Sequence, residues 1–221
     1  MFLKYVKIVS ALKLEEIILK IAILLIVAYI LGSIPNGIWI GKVFFNTDIR
    51  EHGSGNIGTT NTFRVLGKIP GAMVMVLDIL KGTLATLLPI LFNINHISPI
   101  IFGMCAVIGH TFSVFDHFHG GKAVATSAGM LLALHPFLFV CAFLFELTFT
   151  YLTSMVSLAS MISFPLITIL IFMNHDLQLG IIGVILSIFI IVRHIGNIKR
   201  ILNGDENLMP FGILYKHMHK N

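Results

Sequence analysis

The chain has 221 residues and a formal net charge of +5; 57% of the residues are hydrophobic and 11% are charged. Its mean hydropathy is +0.95. Charged residues make up about a quarter of a soluble domain, so this composition excludes a soluble globular protein. Nothing in it indicates a nucleic-acid partner. We predict an all-α integral membrane protein, in which basic residues set the topology and offer sites for anions.

The N-terminal region divides into two parts. Residues 1–20 alternate Lys and Glu with large apolar residues, which is typical of an amphipathic segment at a membrane surface. The apolar run from residue 21 continues without a convincing cleavage site, so we favour a retained first span over a signal peptide. Gly32, Ser33, Pro35 and Gly37 interrupt this span and predict a helix break that turns toward a polar site.

Six further apolar runs follow, at residues 71–91, 98–114, 123–134, 137–152, 158–173 and 179–192. The run 123–134 is short enough to be either a span or a re-entrant segment. If it crosses, these basic residues share one side: Arg50, Arg64, Lys68, Lys122, Arg193, Lys199, Arg200, Lys216 and Lys220.

The turns on the opposite side contain no Lys or Arg, so the positive-inside rule predicts seven transmembrane helices. The N-terminus is then outside and the C-terminus cytoplasmic. The lysines of the first 20 residues count against this orientation. We divide the chain into an amphipathic extension (1–20), a seven-helix membrane domain (21–206) and a cytoplasmic tail (207–221).

The longest polar passage covers residues 48–68, DIREHGSGNIGTTNTFRVLGK. Glycines let several backbone N–H groups converge on one anion, and hydroxyl and amide groups donate further hydrogen bonds. One arginine can bind two oxygens of the same phosphate. We therefore predict an anion-binding site here, framed by Arg50 and Arg64. The alternative is a solvated loop between two membrane helices, since Gly, Ser and Asn are ordinary loop residues.

A second polar cluster, FDHFHGGKAVAT, follows His110 and falls on the same predicted side. Gly120, Gly121 and Lys122 open a helix, where free N–H groups and the positive helix end favour an anion. The pattern is not a Walker A motif, which needs Ser or Thr directly after the lysine, where Ala123 stands. The alternative is that Lys122 only sets the membrane orientation, as the positive-inside rule describes, and binds no anion.

Two further clusters carry polar groups but no convincing nucleophile. The segment SMVSLAS places Ser157 and Ser160 on one helical face, a spacing that most often serves only local hydrogen bonds. The segment RHIGNIKRILNGDE carries His194 and Asn197 one turn apart, just past the last span. An ordinary basic membrane-exit segment is the alternative.

Other distinctive residues receive structural interpretations. Asp78 and Lys81 are three residues apart in the second span, and we interpret them as a self-neutralising pair. Cys105 and Cys141 lie in apolar runs without metal-ligand spacing. We expect no metal site, no disulfide and no cofactor.

Several motifs recur in order along the chain: GSIPNG, DIREHGSGNIGTTN with FRVLGK, LDILKG, GHTFSVF with GGKAVAT, VSLAS and RHIGNIKRILNGDE. Over about residues 31–206 they closely resemble the bacterial acyl-phosphate-dependent glycerol-3-phosphate acyltransferase family, known as PlsY. The resemblance implies a seven-helix enzyme of the bacterial cell membrane, with its active site on the cytoplasmic side. Such an enzyme moves a fatty acyl group from acyl phosphate to the 1-hydroxyl of sn-glycerol 3-phosphate. The products are lysophosphatidic acid and phosphate, in the first acylation step of phospholipid biosynthesis.

The resemblance also implies roles for individual residues and partners. Catalysis is expected at Lys122, His194, Asn197 and Ser157. Substrate and phosphate binding is expected at Arg50, Ser54, Asn56, Thr60, Asn61, Arg64, His110, Gly120 and Gly121. The expected partners are glycerol 3-phosphate, fatty acyl phosphate and membrane lipids, with a monomer as the expected state. The proton acceptor stays open between His110, His194 and a substrate phosphate.

Several positions depart from the family pattern: Thr59 replaces an alanine, Ser113 stands where proline is common, and Ser154 and Met155 replace basic and aromatic residues. Ala123 stands where the family usually has glycine. If that position needs a positive φ, the added Cβ weakens phosphate binding.

Two other functions stay as alternatives. A transporter of phosphate or an organophosphate would use similar donors, but would be expected to show internal repeats, and none is clear. An acyl-CoA-dependent acyltransferase would need an H-x4-D motif, and the spacing from His110 to Asp116 does not match it.

Overall fold

The computed structural model describes the backbone of residues 2–218 and the side chains of residues 14–218. This part of the chain is all-helical and has no β-strand, which confirms the predicted class. The helices are α1 Phe2–Ser33, α2 Asn36–Phe45, α3 Thr59–Leu66, α4 Lys68–Leu91, α5 Pro99–Thr111, α6 Val124–Leu134, α7 Pro136–Thr153, α8 Val156–Met173, α9 Leu177–Arg193, α10 Ile195–Asn203 and α11 Ile213–Met218.

The described helices differ in their capacity to cross a membrane. Three of them, α4, α7 and α8, are long and apolar enough to do so alone. Two pairs, α1 with α2 and α9 with α10, are bent by 48° and 55° and each qualify as one broken span. By length and composition, the described residues therefore hold three to five candidate spans. The apolar helices α5 and α6 are shorter, and the predicted count of seven requires both.

The predicted amphipathic segment, residues 1–20, is helical from Phe2 and forms the first part of α1, without a break before the first span. Its side chains before Leu14 lie outside the described residues. The Nζ atom of Lys20 donates to the carbonyl oxygen of Phe92 at 2.8 Å. That contact ties the start of the first span to the end of α4.

A buried ion pair holds the break between α1 and α2. Lys81 Nζ lies 2.8 Å from Asp78 Oδ1 and also donates to the Ile34 carbonyl oxygen at 2.8 Å. Asn36 Nδ2, at the start of α2, donates to the same Asp78 oxygen at 2.9 Å. The predicted pair is thus confirmed, and it satisfies backbone and side-chain groups that the interruption at Pro35 leaves without helical partners.

Helices α4 and α6 pack with their backbones in close contact, because each helix places a glycine at the interface. A Cβ on Gly82 would lie 2.2 Å from the Thr126 carbonyl oxygen, and one on Gly129 would lie 2.0 Å from that of Ile79. Small residues of this kind are the usual means of close helix packing in membranes. Helix α4 also packs against α1 and α5, while α7, α8 and α9 pack in sequence order.

The C-terminal tail folds back onto the turn between α7 and α8. Ser154 ends α7 in a left-handed conformation, and its carbonyl oxygen accepts from the Met209 N–H at 2.8 Å. Its hydroxyl oxygen accepts from the Tyr215 N–H at 3.0 Å. Arg64 donates to the Asn207 carbonyl oxygen at 2.9 Å. The segment after α10 is thereby held next to α3 and α8.

Candidate functional site

A cavity of about 220 Å³ lies among α3, α4 and α6 to α9. Ten of the thirteen predicted site residues line it: Ser54, Asn56, Thr60, Asn61, Arg64, His110, Lys122, Ser157, His194 and Asn197. The rest of the lining is largely apolar and includes Met130, Leu131, Phe139, Phe143, Phe164, Ile167, Ile171, Leu179 and Leu186. Polar loops and helix ends therefore meet the apolar interior in one space.

Asn61, in the first turn of α3, supports the glycine-rich loop from inside. Its Nδ2 donates to the carbonyl oxygens of Ile49 and His52 at 2.8 and 3.1 Å, and its Oδ1 accepts from the Ser54 N–H at 2.8 Å. Gly53 has φ +62°, and a Cβ there would lie 2.3 Å from Asn61 Oδ1. We predicted that Asn61 binds phosphate, but both amide hydrogens are used by the loop, which points to a positioning role.

Two buried donors beside the cavity have no partner among the described residues. Thr59 Oγ1 and Arg64 Nε are inaccessible to solvent and make no hydrogen bond. Both belong to α3, whose N-terminal end at Gly58 has no capping side chain. Unpaired donors at a positive helix end favour an anionic ligand, because leaving a buried donor unsatisfied costs about 1–3 kcal/mol.

Lys122 begins a chain of hydrogen bonds that ends on a buried carboxylate. Its Nζ atom donates to Asn197 Oδ1, and Asn197 Nδ2 donates to Glu206 Oε1 at 2.7 Å. Ser157 Oγ donates to the same oxygen at 2.9 Å, and Arg200 Nε donates to Glu206 Oε2 at 2.9 Å. Burial lowers the pKa of Lys122 to about 8, and the nearby Glu206 charge opposes that shift only in part.

Gly120 and Gly121 are packed too tightly to carry side chains. A Cβ on Gly120 would lie 2.2 Å from the His110 carbonyl oxygen, and one on Gly121 would lie 2.2 Å from His110 Nε2. The Gly121 N–H donates to His110 O at 3.1 Å, and Arg193 donates to both glycine carbonyls at 3.1 and 3.2 Å. The Gly121 N–H, predicted to hold phosphate, is therefore already engaged, and neither glycine lines the cavity.

Ala123 occupies a conformation that favours glycine. Its φ and ψ are +59° and 15°, in the left-handed region, and the residue is buried at the N-terminal end of α6. The positive φ considered for this position from the sequence is present. An L-residue there bears a strain of about 1–2 kcal/mol, and its Cβ faces the same cavity as Lys122.

Arg50 lies outside the cavity and is neutralised by two carboxylates. It forms a two-point ion pair with Asp48, and its Nη1 lies 2.6 Å from Asp116 Oδ1. The hydrogen bond from Arg50 holds the pKa of Asp48 well below its usual range. We predicted Arg50 as a phosphate ligand, but its guanidinium instead joins the glycine-rich loop to the loop after α5.

The two histidines of the cavity, His194 and His110, differ in which ring nitrogen is available to accept a hydrogen bond. His194 Nδ1 lies 2.8 Å from the Ile190 carbonyl oxygen, and since a carbonyl only accepts, Nδ1 carries the proton. Its Nε2 is then an acceptor at the cavity wall. His110 Nδ1 makes no hydrogen bond within the described part of the chain and lies 3.8 Å from Asp78 Oδ1. Its Nε2 faces Gly121.

The cavity residues that were missing from the predicted site include two glutamates. Glu206 closes the motif RHIGNIKRILNGDE, so an acid among basic residues was the available signal. Glu146 is the only charged residue of α7, and its Oε1 accepts from Ser160 Oγ at 2.7 Å. An ionisable group inside an apolar span is by itself an indication of function.

Comparisons with known proteins agree with these features. The family model described as glycerol-3-phosphate acyltransferase matches residues 22–204. The glycerol-3-phosphate acyltransferase of Levilactobacillus brevis is 58% identical over 198 residues, covering 88% of this chain and 96% of that relative. The one from Enterococcus faecalis is 55% identical over 212 residues, covering 91% and 98%.

A solved structure gives the same result for the fold. The glycerol 3-phosphate form of PlsY (YgiH), an integral membrane glycerol 3-phosphate acyltransferase, superposes with a TM-score of 0.79 at 36% identity. It covers 90% of this chain and 98% of its own. A second structure of PlsY, a lysophosphatidic acid form, gives a TM-score of 0.77 at 35% identity.

The fold and the site together define an all-helical integral membrane protein whose cavity joins hydrogen-bond donors to an apolar interior. The family matches make the assignment specific. The chain belongs to the glycerol-3-phosphate acyltransferase family.

Proposed function

We propose that this chain transfers a fatty acyl group to the 1-hydroxyl of sn-glycerol 3-phosphate, with acyl phosphate as the donor. The relatives named above carry the acyltransferase name, and the solved neighbours hold glycerol 3-phosphate in one form and lysophosphatidic acid in the other. The observation that carries the proposal for this chain is the cavity itself. It joins unpaired buried donors and Lys122 to a lining of aromatic and aliphatic side chains.

The donors provide for phosphate binding. Arg64 Nε and Thr59 Oγ1 are buried without partners, and the N-terminal end of α3 adds a partial positive charge. Lys122 approaches from the start of α6. Two phosphate groups have to be bound, one on each substrate, so a single cation is insufficient. We assign both to the space between Arg64 and Lys122.

The reaction balances without a covalent enzyme intermediate. The oxygen of the 1-hydroxyl attacks the carbonyl carbon of the acyl phosphate and forms the ester bond. The bond from that carbon to the phosphate oxygen breaks, and phosphate leaves with the electron pair. Positioning of the two substrates and neutralisation of the leaving phosphate supply the acceleration, since acyl phosphate already has a good leaving group.

We assign the hydroxyl proton to an oxygen of a substrate phosphate. His110 serves poorly as a base, because its Nε2 faces Gly121 and its Nδ1 faces the Asp78 and Lys81 pair. His194 Nε2 is free to accept a hydrogen bond from substrate and is given a positioning role. A His194→Gln variant, which keeps a polar group there, should then retain a measurable rate. A rate no higher than the no-enzyme control would instead make His194 the base.

We also propose seven crossings, with the N-terminus outside and the site on the cytoplasmic face of a bacterial cell membrane. The support is that α5 and α6 are apolar. In addition, four basic residues contact the loops and helix ends around the cavity: Arg64, Lys122, Arg193 and Arg200. Single cysteines at Asn95 and Asn203, with Cys105 and Cys141 replaced by alanine, test the orientation. An impermeant thiol reagent should label Asn95→Cys in intact cells and Asn203→Cys only after lysis. The reverse pattern contradicts the proposal.

Purified protein in detergent tests the proposed activity. It is given glycerol 3-phosphate with palmitoyl phosphate, and in parallel with palmitoyl-CoA, each beside a no-enzyme control. We expect lysophosphatidic acid from the phosphate donor alone. Product from palmitoyl-CoA alone would overturn the donor class. Binding of glycerol 3-phosphate without any product would favour transport.

A further inference from the structure

The apolar part of the cavity contains a polar cluster that the proposed reaction does not use. Glu146 projects from the middle of α7 toward α8, where Ser160 Oγ donates to its Oε1 at 2.7 Å. Ser163 lies one turn further along α8 and lines the same cavity. The neighbouring lining consists of side chains such as Phe143 and Phe164. A carboxyl group in such surroundings requires hydrogen-bond partners, because its desolvation is costly.

Two hydroxyl groups of this lining are buried and incompletely hydrogen-bonded in the part of the chain that is described, and each residue is only 3% exposed. Ser127 Oγ makes no hydrogen bond, and Ser163 Oγ lies beside the Glu146 carboxyl without a well-formed hydrogen bond. Ser127 belongs to α6, on another wall of the cavity. Groups of this kind destabilise the structure unless a ligand or a water satisfies them. The cluster of Glu146, Ser160, Ser163 and Ser127, here called the polar belt, is therefore incomplete without an occupant.

The depth of the polar belt follows from helix geometry. Ser160 and Ser163 follow Ser157 on α8 by roughly 4.5 and 9 Å, at 1.5 Å per residue. Ser157 contacts Glu206, which Asn197 connects to Lys122, so Ser157 lies at the level of the phosphate site assigned above. An extended chain advances roughly 1.2 Å per bond, one third of the 3.6 Å spanned by a residue. The belt thus lies about four to eight bonds from a phosphorus atom held at the level of Ser157, which corresponds to carbons 3 to 7 of the acyl group.

We propose that the polar belt is a subsite for acyl donors that carry a hydroxyl group between carbons 3 and 7. The proposal rests on the acyl transfer proposed above and adds a substrate class to it. The Glu146 carboxyl accepts the hydrogen bond of the substrate hydroxyl, and a serine hydroxyl donates to the substrate oxygen. With an unsubstituted chain, Glu146 keeps its hydrogen bond from Ser160, while the Ser127 and Ser163 hydroxyls stay incompletely bonded or contact trapped water. The belt is therefore a specificity determinant and takes no part in bond making.

The test compares donors within each protein variant, so that a general loss of activity cancels. The donors are palmitoyl phosphate and its 3-hydroxy, 7-hydroxy and 16-hydroxy derivatives. The 4- and 5-hydroxy compounds are left out because they close to lactones. The readout is the ratio of kcat/KM for each hydroxylated donor to that for palmitoyl phosphate. In the wild type the 3- and 7-hydroxy ratios should exceed the 16-hydroxy ratio.

Two substitutions should lower the 3- and 7-hydroxy ratios but leave the 16-hydroxy ratio unchanged. We expect a fall of about tenfold for Glu146→Leu, which removes the carboxyl acceptor, and about fivefold for Ser163→Ala, which removes one hydroxyl donor. Ser187→Ala is the matched control. That serine is also buried in a span, but its hydroxyl donates to the Gly183 carbonyl oxygen at 2.8 Å and does not line the cavity. Its ratios should equal those of the wild type.

Each other outcome overturns a defined statement. Equal ratios in the wild type and both belt variants would mean that water alone occupies the belt. A parallel fall in the 16-hydroxy ratio would mean a general polarity effect and would remove the subsite. Ser163→Ala decides alone if Glu146→Leu does not fold. No transfer from palmitoyl phosphate by the wild type would overturn the proposed function itself, and the subsite with it.

Discussion

The ammonium group of Lys122 and the amide oxygen of Asn197 are in hydrogen-bond contact, although the two residues are 75 positions apart in the chain. The contact joins the loop before α6 to α10. Asn197 in turn donates to Glu206, which Ser157 and Arg200 also contact. The charge on Lys122 is thereby fixed at the cavity wall by residues from the last two polar motifs.

Removal of the Lys122 charge should abolish acyl transfer. We expect Lys122→Ala to lower kcat/KM at least about 100-fold, because the amine is assigned to phosphate charge that develops as the leaving group departs. The measurement is lysophosphatidic acid formation by purified protein. Lys199→Ala is the control, since Lys199 is exposed on α10 and does not line the cavity. Full activity in Lys122→Ala would remove this residue from the site.

The activity should depend on pH through Lys122. Its pKa is lowered to about 8 by burial, so the amine loses its charge as the pH rises through that value. We expect kcat/KM for glycerol 3-phosphate to fall above about pH 8, because only the charged amine attracts the dianion. Bound phosphate stabilises the charged amine, so kcat should fall at a higher pH than kcat/KM. After correction for spontaneous donor hydrolysis, a kcat/KM profile that stays flat through the pKa would contradict the assignment.

Glu206 should matter for stability as well as activity. Its side chain is 2% exposed and accepts hydrogen bonds from three different residues. Glu206→Ala leaves those donors unpaired and should lower the free energy of unfolding by about 3 kcal/mol. The melting temperature in detergent reports this change. Asp205→Ala, one residue earlier and exposed, should leave the melting temperature within error of the wild type. Equal melting temperatures for the two variants would show that the Glu206 contacts contribute little.

Substitution of Ala123 by glycine should relieve backbone strain. Glycine adopts φ +59° without a steric penalty, so Ala123→Gly should raise the free energy of unfolding by about 0.5–1 kcal/mol. The removed Cβ also widens the cavity beside Lys122, so KM for glycerol 3-phosphate should fall. Ala128→Gly, within the same helix, should instead lower stability by about 1 kcal/mol. A loss of stability in both variants would mean that the left-handed conformation at Ala123 carries no strain.

The sequence was sufficient to predict the apolar helices and ten of the residues that line the cavity. Apolar runs located α4 to α9 because each such run must hide its backbone in a helix within a membrane. The spacing of Asp78 and Lys81 was sufficient to predict their ion pair. The passage of residues 48–68 was identified from its chemistry, since little else in the chain combines glycines with hydroxyl, amide and guanidinium groups.

The hydrogen-bond and ion-pair partners of the charged residues were not predictable from residue types alone. Arg50 and Arg64 look equivalent in sequence, yet Arg50 meets two carboxylates while Arg64 Nε is left unpaired. That difference depends on Asp116, which lies 66 positions away from Arg50. Glu206 was missed for the same reason, because its three donors come from α8 and α10 and meet only in the folded chain.

The most direct test of the proposed reaction follows both products in one experiment. Purified protein is given glycerol 3-phosphate and palmitoyl phosphate, and lysophosphatidic acid and inorganic phosphate are measured together over time. Acyl transfer from acyl phosphate predicts equal amounts of the two products, both dependent on glycerol 3-phosphate. Phosphate release that is independent of glycerol 3-phosphate and yields no lysophosphatidic acid would contradict the central claim.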